Sequence, residues 1–287
     1  MSPNVTAIVL NWCNEPDTAA CLDSLADSRY DALTVLLVDN GSPDGSGDRL
    51  HARFPNLPYL QTGANLGYAG GNNRGMEGAI EQGADYLLVL NNDTLVDPDC
   101  VARLVATAEA SAAAVVAPQI RYFDAPDRVW YGGGTFSRAR ALGLHRLAAP
   151  PTANGSATAV SFVTGCCFLI RADTVQSLGG FDESFFAYVE DAELSVRLAA
   201  AGLTMLYEPS AKVLHRIAPA APDTPFQIRQ RDRNRRRLVD RHYGRRERAV
   251  FALWFYPTRL VHLARFVATG DRARARAIID GALSELD

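Results

Sequence analysis

The chain has 287 residues, of which 48% are hydrophobic and 21% are charged, and its formal net charge is -3. This apolar share can fill a large core and excludes a disordered or fibrous chain. No apolar run approaches the roughly 18–20 residues of a membrane-spanning helix, and the first residues lack the pattern of a secretory signal. The five cysteines show no C-x-x-C spacing, so they indicate neither a disulfide framework nor a zinc site, and a reducing cytoplasm is expected.

Charge is unevenly distributed along the chain. Residues 1–225 carry 14 basic and 25 acidic side chains, whereas residues 226–276 carry 15 arginines and only four acidic residues. A basic C-terminal segment after an acidic body indicates a contact with something anionic, either a membrane surface or a nucleic acid.

Short apolar runs alternate with amphipathic segments in the first 118 residues. The runs are too short for helices and are apolar on both faces, as central parallel strands are. They predict strands at residues 5–10, 33–38, 59–61, 86–90 and 115–117. The segments between them predict helices at residues 17–25, 46–54, 70–82 and 98–110. This alternation predicts an α/β fold with a doubly wound, mostly parallel sheet.

The pattern changes after Pro118. Residues 121–160 are irregular and contain many turn formers, which predicts a hairpin or a flexible loop. Beyond them we expect strands at residues 159–170, 205–207 and 213–214 and a helix at residues 189–201. From residue 226 onward the pattern is helical and rich in arginine.

Polar residues follow three of the predicted strands, where ligands bind in parallel α/β sheets. Asn11 follows the first strand, Asp39 the second, and the run Asn91, Asn92, Asp93 the fourth. Asp39 can accept hydrogen bonds from a base or a ribose, although the sequence D-N-G-S is also typical of a turn. Asp93 suits a hard divalent cation that shares phosphate oxygens, although a plain turn before a helix explains the same residues.

Residues 65–75, NLGYAGGNNRG, contain four glycines and three asparagines. Glycines let the backbone approach a ligand closely, and the N-terminus of the following helix offers N–H groups to an anion. The segment does not match G-x-G-x-x-G, and the Walker pattern occurs nowhere in the chain. A dinucleotide-binding Rossmann site and a Walker ATPase are therefore disfavoured.

A second group of carboxylates, Glu190 and Asp191, opens the predicted helix at residues 189–201. Acidic residues are common in the first turn of a helix, where they complement the helix dipole. Here, however, aromatic residues precede them, and an apolar environment raises the pKa of a carboxyl and makes it a better base. His215 ends a short strand, and a single histidine in that position is more often structural than a ligand.

In this order, the motifs resemble those of the inverting glycosyltransferases of family 2 with the GT-A fold, of the rhamnosyltransferase type. The resemblance extends from residue 5 to about residue 216. Its matching segments are VTAIVLNW, VDNGSPDGS, NLGYAGGNNRG, LLVLNNDT, TGCCFLIR and GGFDESFFAYVEDAELSVRLAAAG running to YEPSAKVLHR.

The resemblance assigns a role to each candidate residue. Asp191 would be the general base and Glu190 would help to position the acceptor. Asp93 and His215 would hold Mg²⁺ or Mn²⁺ against the donor diphosphate, although Asn91 stands where the family has the first Asp of its D-x-D motif. The residues expected to contact the donor are Asn11, Asp39, Asn65, Gly67, Gly71, Asn72, Asn91 and Asn92.

The implied activity is transfer of a sugar, with rhamnose favoured, from a dTDP- or UDP-sugar to a hydroxyl group. The acceptor would be a glycan, a lipid-linked glycan or a small molecule. The alternatives are a sugar nucleotidyltransferase, which lacks support because no G-x-G-T-R-type loop follows the first strand, and a nucleotide-sugar-binding protein without catalysis. A nucleic-acid-binding module is disfavoured by the acidic body, so no nucleic-acid partner is expected.

We expect a GT-A domain at residues 1–217, with a nucleotide-binding half (1–118) and an acceptor-binding half (119–217), and a helical extension at residues 218–287. In the extension, apolar residues interleave with Arg259 and Arg265, as in an amphipathic helix on an anionic bilayer. These apolar residues are Phe251, Trp254, Phe255, Leu260, Leu263 and Phe266. Peripheral association with the inner face of the plasma membrane is one expectation; a docking helix, including one that forms a homodimer, is the other.

Overall fold

The computed structural model describes residues 2–148, 156–217 and 222–286. Its N-terminal part alternates strands and helices, as the sequence predicts. The strands are β1 (Val5–Asn11), β2 (Leu33–Asp39), β3 (Tyr59–Gln61) and β4 (Tyr86–Asn91), and the helices are α1 (Glu15–Ala26), α2 (Ser46–Arg53) and α3 (Gly67–Glu81). The four strands are parallel, in the order β4-β1-β2-β3.

The second part extends the same sheet. Its elements are β5 (Thr94–Val96), α4 (Cys100–Ser111), β6 (Val115–Tyr122), β7 (Val129–Tyr131), β8 (Gly134–Ser137), β9 (Leu142–His145), β10 (Thr158–Ala159), β11 (Cys167–Arg171), α5 (Ala172–Leu178), α6 (Glu190–Ala200) and β12 (Met205–His215). The full order is β10-β12-β6-β11-β4-β1-β2-β3, and β11 runs antiparallel to β4 and β6. The expected α/β fold with a mostly parallel sheet is confirmed.

Several predicted boundaries in this part are wrong. The strand expected at residues 159–170 is divided into β10 and β11. The two strands expected at 205–207 and 213–214 are one strand, β12, with an irregularity between Glu208 and Lys212. Pro209 lies in that irregularity because a proline cannot donate to a ladder and is tolerated at a bulge.

The irregular segment forms the hairpin that was one of the two expectations for residues 121–160. Strands β8 and β9 pair antiparallel as a separate two-stranded sheet. Residues 149–155, which belong to the same segment, lie outside the described residues.

Three helices follow the sheet, α7 (Pro225–His242), α8 (Arg245–Ala268) and α9 (Arg272–Leu283). Helix α7 begins with a capping box between Thr224 and Gln227. Leu238, Tyr243 and Phe255 belong to the same buried core as the sheet, so packing is continuous across the expected domain boundary at residue 217. That boundary stays a prediction, and its first residues, 218–221, lie outside the described residues.

The residues expected to face a membrane are for the most part turned inward. Phe251 and Phe255 are buried in the core, and Trp254 packs against it. Leu263 and Phe266 pack against a small cluster formed by residues of α7 and α9, and Arg259 is bound to the buried Asp232. Of these six apolar residues, Leu260 is exposed. The sequence could not separate it from the others, because helical spacing alone does not show which of two apolar stripes packs inward.

Within the described residues, no helix is both long enough and apolar enough to cross a membrane.

Candidate active site

Three parallel strands end side by side at one edge of the sheet. Asn11 at the end of β1 is in register with Asp39 at the end of β2, and Asn91 at the end of β4 is in register with Leu10. The structure thus brings Asn11, Asp39 and Asn91 together, because the carboxyl ends of neighbouring parallel strands share one edge.

Asp39 is buried and accepts hydrogen bonds from three surrounding residues. Nδ2 of Asn11 donates to its Oδ1 at 3.0 Å, and Nε2 of Gln61 donates to its Oδ2 at 2.6 Å. Ser42 donates through its backbone N at 3.2 Å and its Oγ at 2.5 Å. The bonds from Ser42 are local turn contacts, whereas those from Asn11 and Gln61 come from neighbouring strands. Asp39 is therefore more than part of a turn: it is a fixed acceptor at the strand end.

Asn65 and Gly67 shape the loop before α3. Oδ1 of Asn65 accepts hydrogen bonds from Nδ2 of Asn40 at 3.2 Å and from the backbone N of Gly67 at 2.9 Å. Gly67 has a φ of +74°, and a Cβ at this position would lie 2.4 Å from the carbonyl oxygen of Phe186. Only glycine fits here, because its φ is positive and the backbone of the turn that precedes α6 lies where a Cβ would be.

Gly71 and Asn72 lie inside the helix–sheet packing. A Cβ on Gly71 would lie 2.6 Å from Cδ1 of Leu10, so the absence of a side chain lets α3 approach β1. Asn72 is fully buried, and its Nδ2 donates to the carbonyl oxygen of Tyr68 at 2.9 Å. Donor contacts by Gly71 and Asn72 stay predictions; packing explains Gly71, whereas Oδ1 of Asn72 is buried without a hydrogen-bond partner.

Asn92, which precedes Asp93, is connected by hydrogen bonds to the Asp39 end of the site. Its Nδ2 donates to Oγ1 of Thr18 at 2.7 Å, and Thr18 Oγ1 lies 2.9 Å from Oδ1 of Asn11. Asn11 in turn bonds to Asp39. The amide of Asn92 is therefore part of the hydrogen-bond network that fixes the strand ends.

Asp93 and His215 are adjacent although they are distant in sequence. Strand β5 pairs antiparallel with the end of β12, which places Thr94 opposite His215, and the backbone N of Arg216 donates to the carbonyl oxygen of Asp93 at 2.9 Å. Nε2 of His215 lies 3.1 Å from Oδ1 of Asp93. The strand pairing therefore aims both side chains at one point.

This pair fits a divalent cation that is shared with a ligand. Oδ1 of Asp93 is buried and faces Nε2 of His215, with no further hydrogen-bond partner among the described residues. Burial by itself lowers the pKa of His215, but Cys166 and Asp93 outweigh it and raise the pKa to about 10, so a cation that binds to this ring would displace its proton. Within the described residues, no group of three or more Asp, Glu, His or Cys side chains could hold a metal ion alone. A cation here would need further oxygen ligands, such as those of a diphosphate.

Asp191 lies at the start of α6 and is held by backbone N–H groups. Its Oδ2 accepts from the N of Gly165 at 2.9 Å, and its Oδ1 accepts from the N of Ala192 at 2.7 Å. Burial raises the pKa of Asp191, and these two hydrogen bonds oppose that increase. The side chain is only partly buried, so it remains accessible to a bound molecule.

Glu190 is more deeply buried than its neighbour. Burial, and then the charge of Asp191, raise the pKa of Glu190 well above its ordinary value. Its Oε2 is buried without a hydrogen-bond partner. The pKa of Glu190 is raised further than that of Asp191, whose charged form accepts two N–H groups, so Glu190 is the member of the pair that keeps a proton more readily.

The residues just before β11 connect the Asp93 part of the site with the Asp191 part. The carbonyl oxygen of Cys166 accepts from the N of Asn91 at 2.9 Å, and Gly165, the preceding residue, donates to Asp191. The pKa of the Cys166 thiol is raised by burial and by the charges of both Asp93 and Asp191. The site of Asp93 and the site of Asp191 thus adjoin the same end of β11.

Comparison with known families decides what kind of protein carries this arrangement. Residues 7–179 match the family model of glycosyl transferase family 2. The chain belongs to this family. It is a glycosyltransferase, and this decides against the sugar nucleotidyltransferase and the binding protein without catalysis.

Two relatives from Mycobacterium tuberculosis illustrate the similarity of this glycosyltransferase. It is 31% identical over 253 residues to an N-acetylglucosaminyl-diphospho-decaprenol L-rhamnosyltransferase, covering 78% of this chain and 80% of the relative. It is 32% identical over 211 residues to the galactofuranosyltransferase GlfT1, covering 71% of this chain and 67% of the relative. The rhamnosyltransferase-like resemblance is confirmed.

Solved structures confirm the GT-A fold of this glycosyltransferase. The mannosyltransferase PcManGT from Pyrobaculum calidifontis, in complex with GDP-Man and Mn²⁺, superposes with a TM-score of 0.64 at 19% identity, covering 98% of this chain and 80% of that chain. GalNAc-T7 with UDP, GalNAc and Mn²⁺ superposes with a TM-score of 0.69 at 15% identity, covering 83% of this chain and 48% of that chain.

Sequence reasoning missed several residues that build the site. Tyr68 donates through its hydroxyl to the carbonyl oxygen of Gly165 at 2.5 Å, and Gln61 donates to Asp39. Gly165 precedes β11, and the beginning of an antiparallel strand shares the edge where its parallel neighbours end. That rule could have identified Gly165, whereas Tyr68 carried no signal beyond its place in a helix.

Proposed function

We propose that this glycosyltransferase transfers rhamnose, with inversion, from dTDP-rhamnose to a hydroxyl group of a lipid-linked glycan. The choice of rhamnose and of a lipid-linked acceptor is supported by the name of the 31% identical mycobacterial relative. The proposal for the catalytic residues rests on one observation. Asp191 is a partly exposed carboxylate, fixed by Gly165, at the same end of β11 as the Asp93–His215 pair.

This arrangement separates the two charges that the reaction develops. Displacement of a nucleoside diphosphate builds negative charge on the leaving phosphate and positive character on the sugar. Asp191 removes the proton of the attacking hydroxyl group, and its raised pKa makes it a stronger base than an exposed carboxylate. Glu190, the member of the pair that keeps a proton more readily, contributes hydrogen bonding to the acceptor.

Asp93 and His215 are the residues that would hold Mg²⁺ or Mn²⁺, and the metal, when bound, neutralises charge on the donor diphosphate. Support comes from the buried Oδ1 of Asp93, which faces His215, and from the Mn²⁺ named with both solved structures. Asp39 would accept a hydrogen bond from the base or ribose of the donor. The remaining donor-binding candidates are Asn11, Asn65, Gly67, Gly71, Asn72, Asn91 and Asn92.

Replacement of the base tests the catalytic assignment. We expect Asp191→Asn to bind the donor like the unaltered protein but to lose roughly 10²-fold or more of turnover, the scale of a removed general base. Donor binding is measured by calorimetry, and turnover by donor hydrolysis without acceptor. Asp48→Asn, on the exposed face of α2, is the matched control. Hydrolysis by Asp191→Asn at the rate of the control would refute the role of Asp191.

The donor is tested separately, because GlfT1 supports galactofuranose as a second candidate sugar. Thermal stabilisation by dTDP-rhamnose and by UDP-galactofuranose is compared in the presence of Mn²⁺. A larger increase in melting temperature with dTDP-rhamnose supports rhamnose as the donor sugar. A larger increase with UDP-galactofuranose indicates galactofuranose instead and does not affect the role of Asp191.

A lipid-linked acceptor requires access to a membrane surface, and α8 offers a suitable face. Six exposed apolar residues lie within about 140° of arc at 3.6 residues per turn; they are Val250, Leu253, Tyr256, Leu260, Val261 and Val267. The exposed Arg245, Arg246 and Arg265 lie beside this face or at its end. This combination fits the surface of an anionic bilayer.

Flotation with anionic vesicles tests this contact. We expect the unaltered protein to float and the double variant Leu253→Glu, Leu260→Glu to remain in the dense fraction. Leu147→Glu, an exposed leucine outside α8, is the control and should float. The membrane contact is ruled out if both variants float equally. It is also ruled out if the protein forms a dimer without vesicles and only the α8 variant disrupts that dimer.

A further inference from the structure

The turn before α6 has an unusual backbone. Phe186, Tyr188 and Val189 have φ angles of 49°, 68° and 74°, in the left-handed region that residues with a side chain rarely adopt. Val189 is β-branched, which makes this conformation more unfavourable. Three such residues within four positions persist only when the surrounding structure holds them.

One buried side chain from the C-terminal helices holds this turn. Asn234 of α7 is 1% exposed. Its Nδ2 lies within hydrogen-bond distance of three carbonyl oxygens, those of Phe185 at 2.6 Å, Ala187 at 2.9 Å and Tyr188 at 2.7 Å. The amide of Asn234 is therefore placed to donate to three carbonyl groups of the turn that precedes α6.

Neighbouring residues of α7 strengthen the same contact. Nη1 of Arg237 donates to the carbonyl oxygen of Ser184 and to Oδ1 of Asn234. Arg241, one turn further along α7, forms an ion pair with Asp182. Asn234 is thus itself oriented, because both ends of its amide group are bonded.

Helix α3 holds the opposite side of the turn. The backbone N of Ala69 donates to the carbonyl oxygen of Phe186 at 3.2 Å, and Gly67 lies against the same oxygen. The turn is therefore enclosed between the start of α3 and the side of α7, and its conformation decides where α6 begins. Glu190 and Asp191 are the first two residues of α6.

We propose that Asn234 is a positioning residue of this glycosyltransferase, which holds the turn at residues 186–189 and thereby places the carboxylate of Asp191. Asn234 does not touch the carboxylate and acts through the backbone of the turn. The face of α7 that carries Asn234 then supports the catalytic site, whereas the face that carries Arg236 packs against α9. This inference rests on the proposed role of Asp191.

Asn234→Ala is compared with Arg236→Ala on the same helix. Arg236 donates to the carbonyl oxygens of Gly281 and Ser284, so its loss disturbs packing between α7 and α9 and leaves the turn untouched. Turnover and KM are measured by hydrolysis of whichever nucleotide sugar gives the larger thermal shift. Hydrogen exchange of the amides at residues 187–191 reports on the turn without any substrate.

We expect Asn234→Ala to lose roughly 10²-fold in kcat, as for a catalytic group misplaced by about 1 Å, with KM for the donor changed by less than about 3-fold. Amide exchange of the turn becomes faster, and the acid limb of the rate–pH profile moves because the surroundings of Asp191 change. Arg236→Ala keeps its kcat within about 3-fold and its turn protected.

The inference is overturned if Asn234→Ala keeps the kcat or the amide exchange of the unaltered protein. It is also overturned if Arg236→Ala loses as much kcat as Asn234→Ala, because that would indicate general destabilisation. If Asn234→Ala does not fold, Asn234→Ser, which keeps one donor, is judged by the same measurements. Asp191→Asn separates the two proposals. If Asp191→Asn hydrolyses the donor at the normal rate, the role of Asp191 as the base is refuted. If Asp191→Asn loses hydrolysis while Asn234→Ala hydrolyses the donor normally, only the positioning role of Asn234 is refuted.

Discussion

The two ends of the site are built from different parts of the chain. The Asp39 end is assembled from β1, β2 and the residues that follow them, so its hydrogen bonds lie within residues 11–61. The Asp191 end depends on three distant segments: Gly165 bonds to the carboxylate, and α3 and α7 enclose the turn that carries it. The first end follows from local strand pairing, whereas the second depends on contacts between segments that are far apart in the sequence.

Under the proposed roles of Asp39 and Asp191, this difference separates donor binding from catalysis. A change at the Asp39 end alters a rigid acceptor and is expected to affect affinity for the donor. A change at the Asp191 end alters the position of one carboxylate and is expected to affect turnover. Variants confined to one end therefore test whether the two ends work independently.

The largest expected effect at the Asp39 end is on donor affinity. Asp39→Asn places an amide where Asn11, Ser42 and Gln61 all donate, and it removes the negative charge. Loss of a hydrogen bond to a charged group corresponds to about 1.5–3 kcal/mol, or roughly 10- to 100-fold in affinity. Calorimetry with the nucleotide sugar checks this, with Asp48→Asn as the control. Unchanged affinity would show that Asp39 does not contact the donor.

A smaller effect is expected from Gly47→Ala, because a Cβ there would lie 2.2 Å from Cγ of Asp39. Overpacking of this kind costs about 1–3 kcal/mol in the free energy of unfolding. Urea denaturation measures the loss, and calorimetry should show weaker donor binding. Gly78→Ala is the control, since its Cβ would lie an ordinary 3.8 Å from Leu60. Equal stability of the two variants would contradict the close contact.

The last expected effect is on the pH dependence of stability at the Asp191 end. The raised pKa of Glu190 means that the folded protein keeps a proton that the unfolded chain releases above about pH 4.5. Stability therefore falls as pH rises, by up to about 1.4 kcal/mol per pH unit for one proton. Glu190→Gln removes this contribution, so it should be more stable than the unaltered protein at pH 8 and similar near pH 5.

Denaturation at several pH values checks the prediction for Glu190. The exposed Glu81→Gln serves as the control and should keep the slope of the unaltered protein. Parallel stability curves for Glu190→Gln and the unaltered protein would show that Glu190 is ionised in the folded state.

The sequence by itself determined the alternating strands and helices and the polar residues at the strand ends. Strands such as β1 and β4 are apolar on both faces and too short to be helices, so their type is a local property. Asp39 and Asp93 could be placed at one edge because the direction of parallel strands fixes where each one ends. The ordered motifs also identified the family.

Only the tertiary structure decided which residues hold Asp191 in place and which stripe of α8 faces outward. Asn234 is an ordinary polar residue in an arginine-rich helix, and nothing in its neighbourhood along the chain indicates three carbonyl partners. Gly71 is explained by its distance to Leu10, which depends on how α3 packs on β1. Such contacts join segments far apart in sequence, and their geometry is fixed only when the whole core is packed.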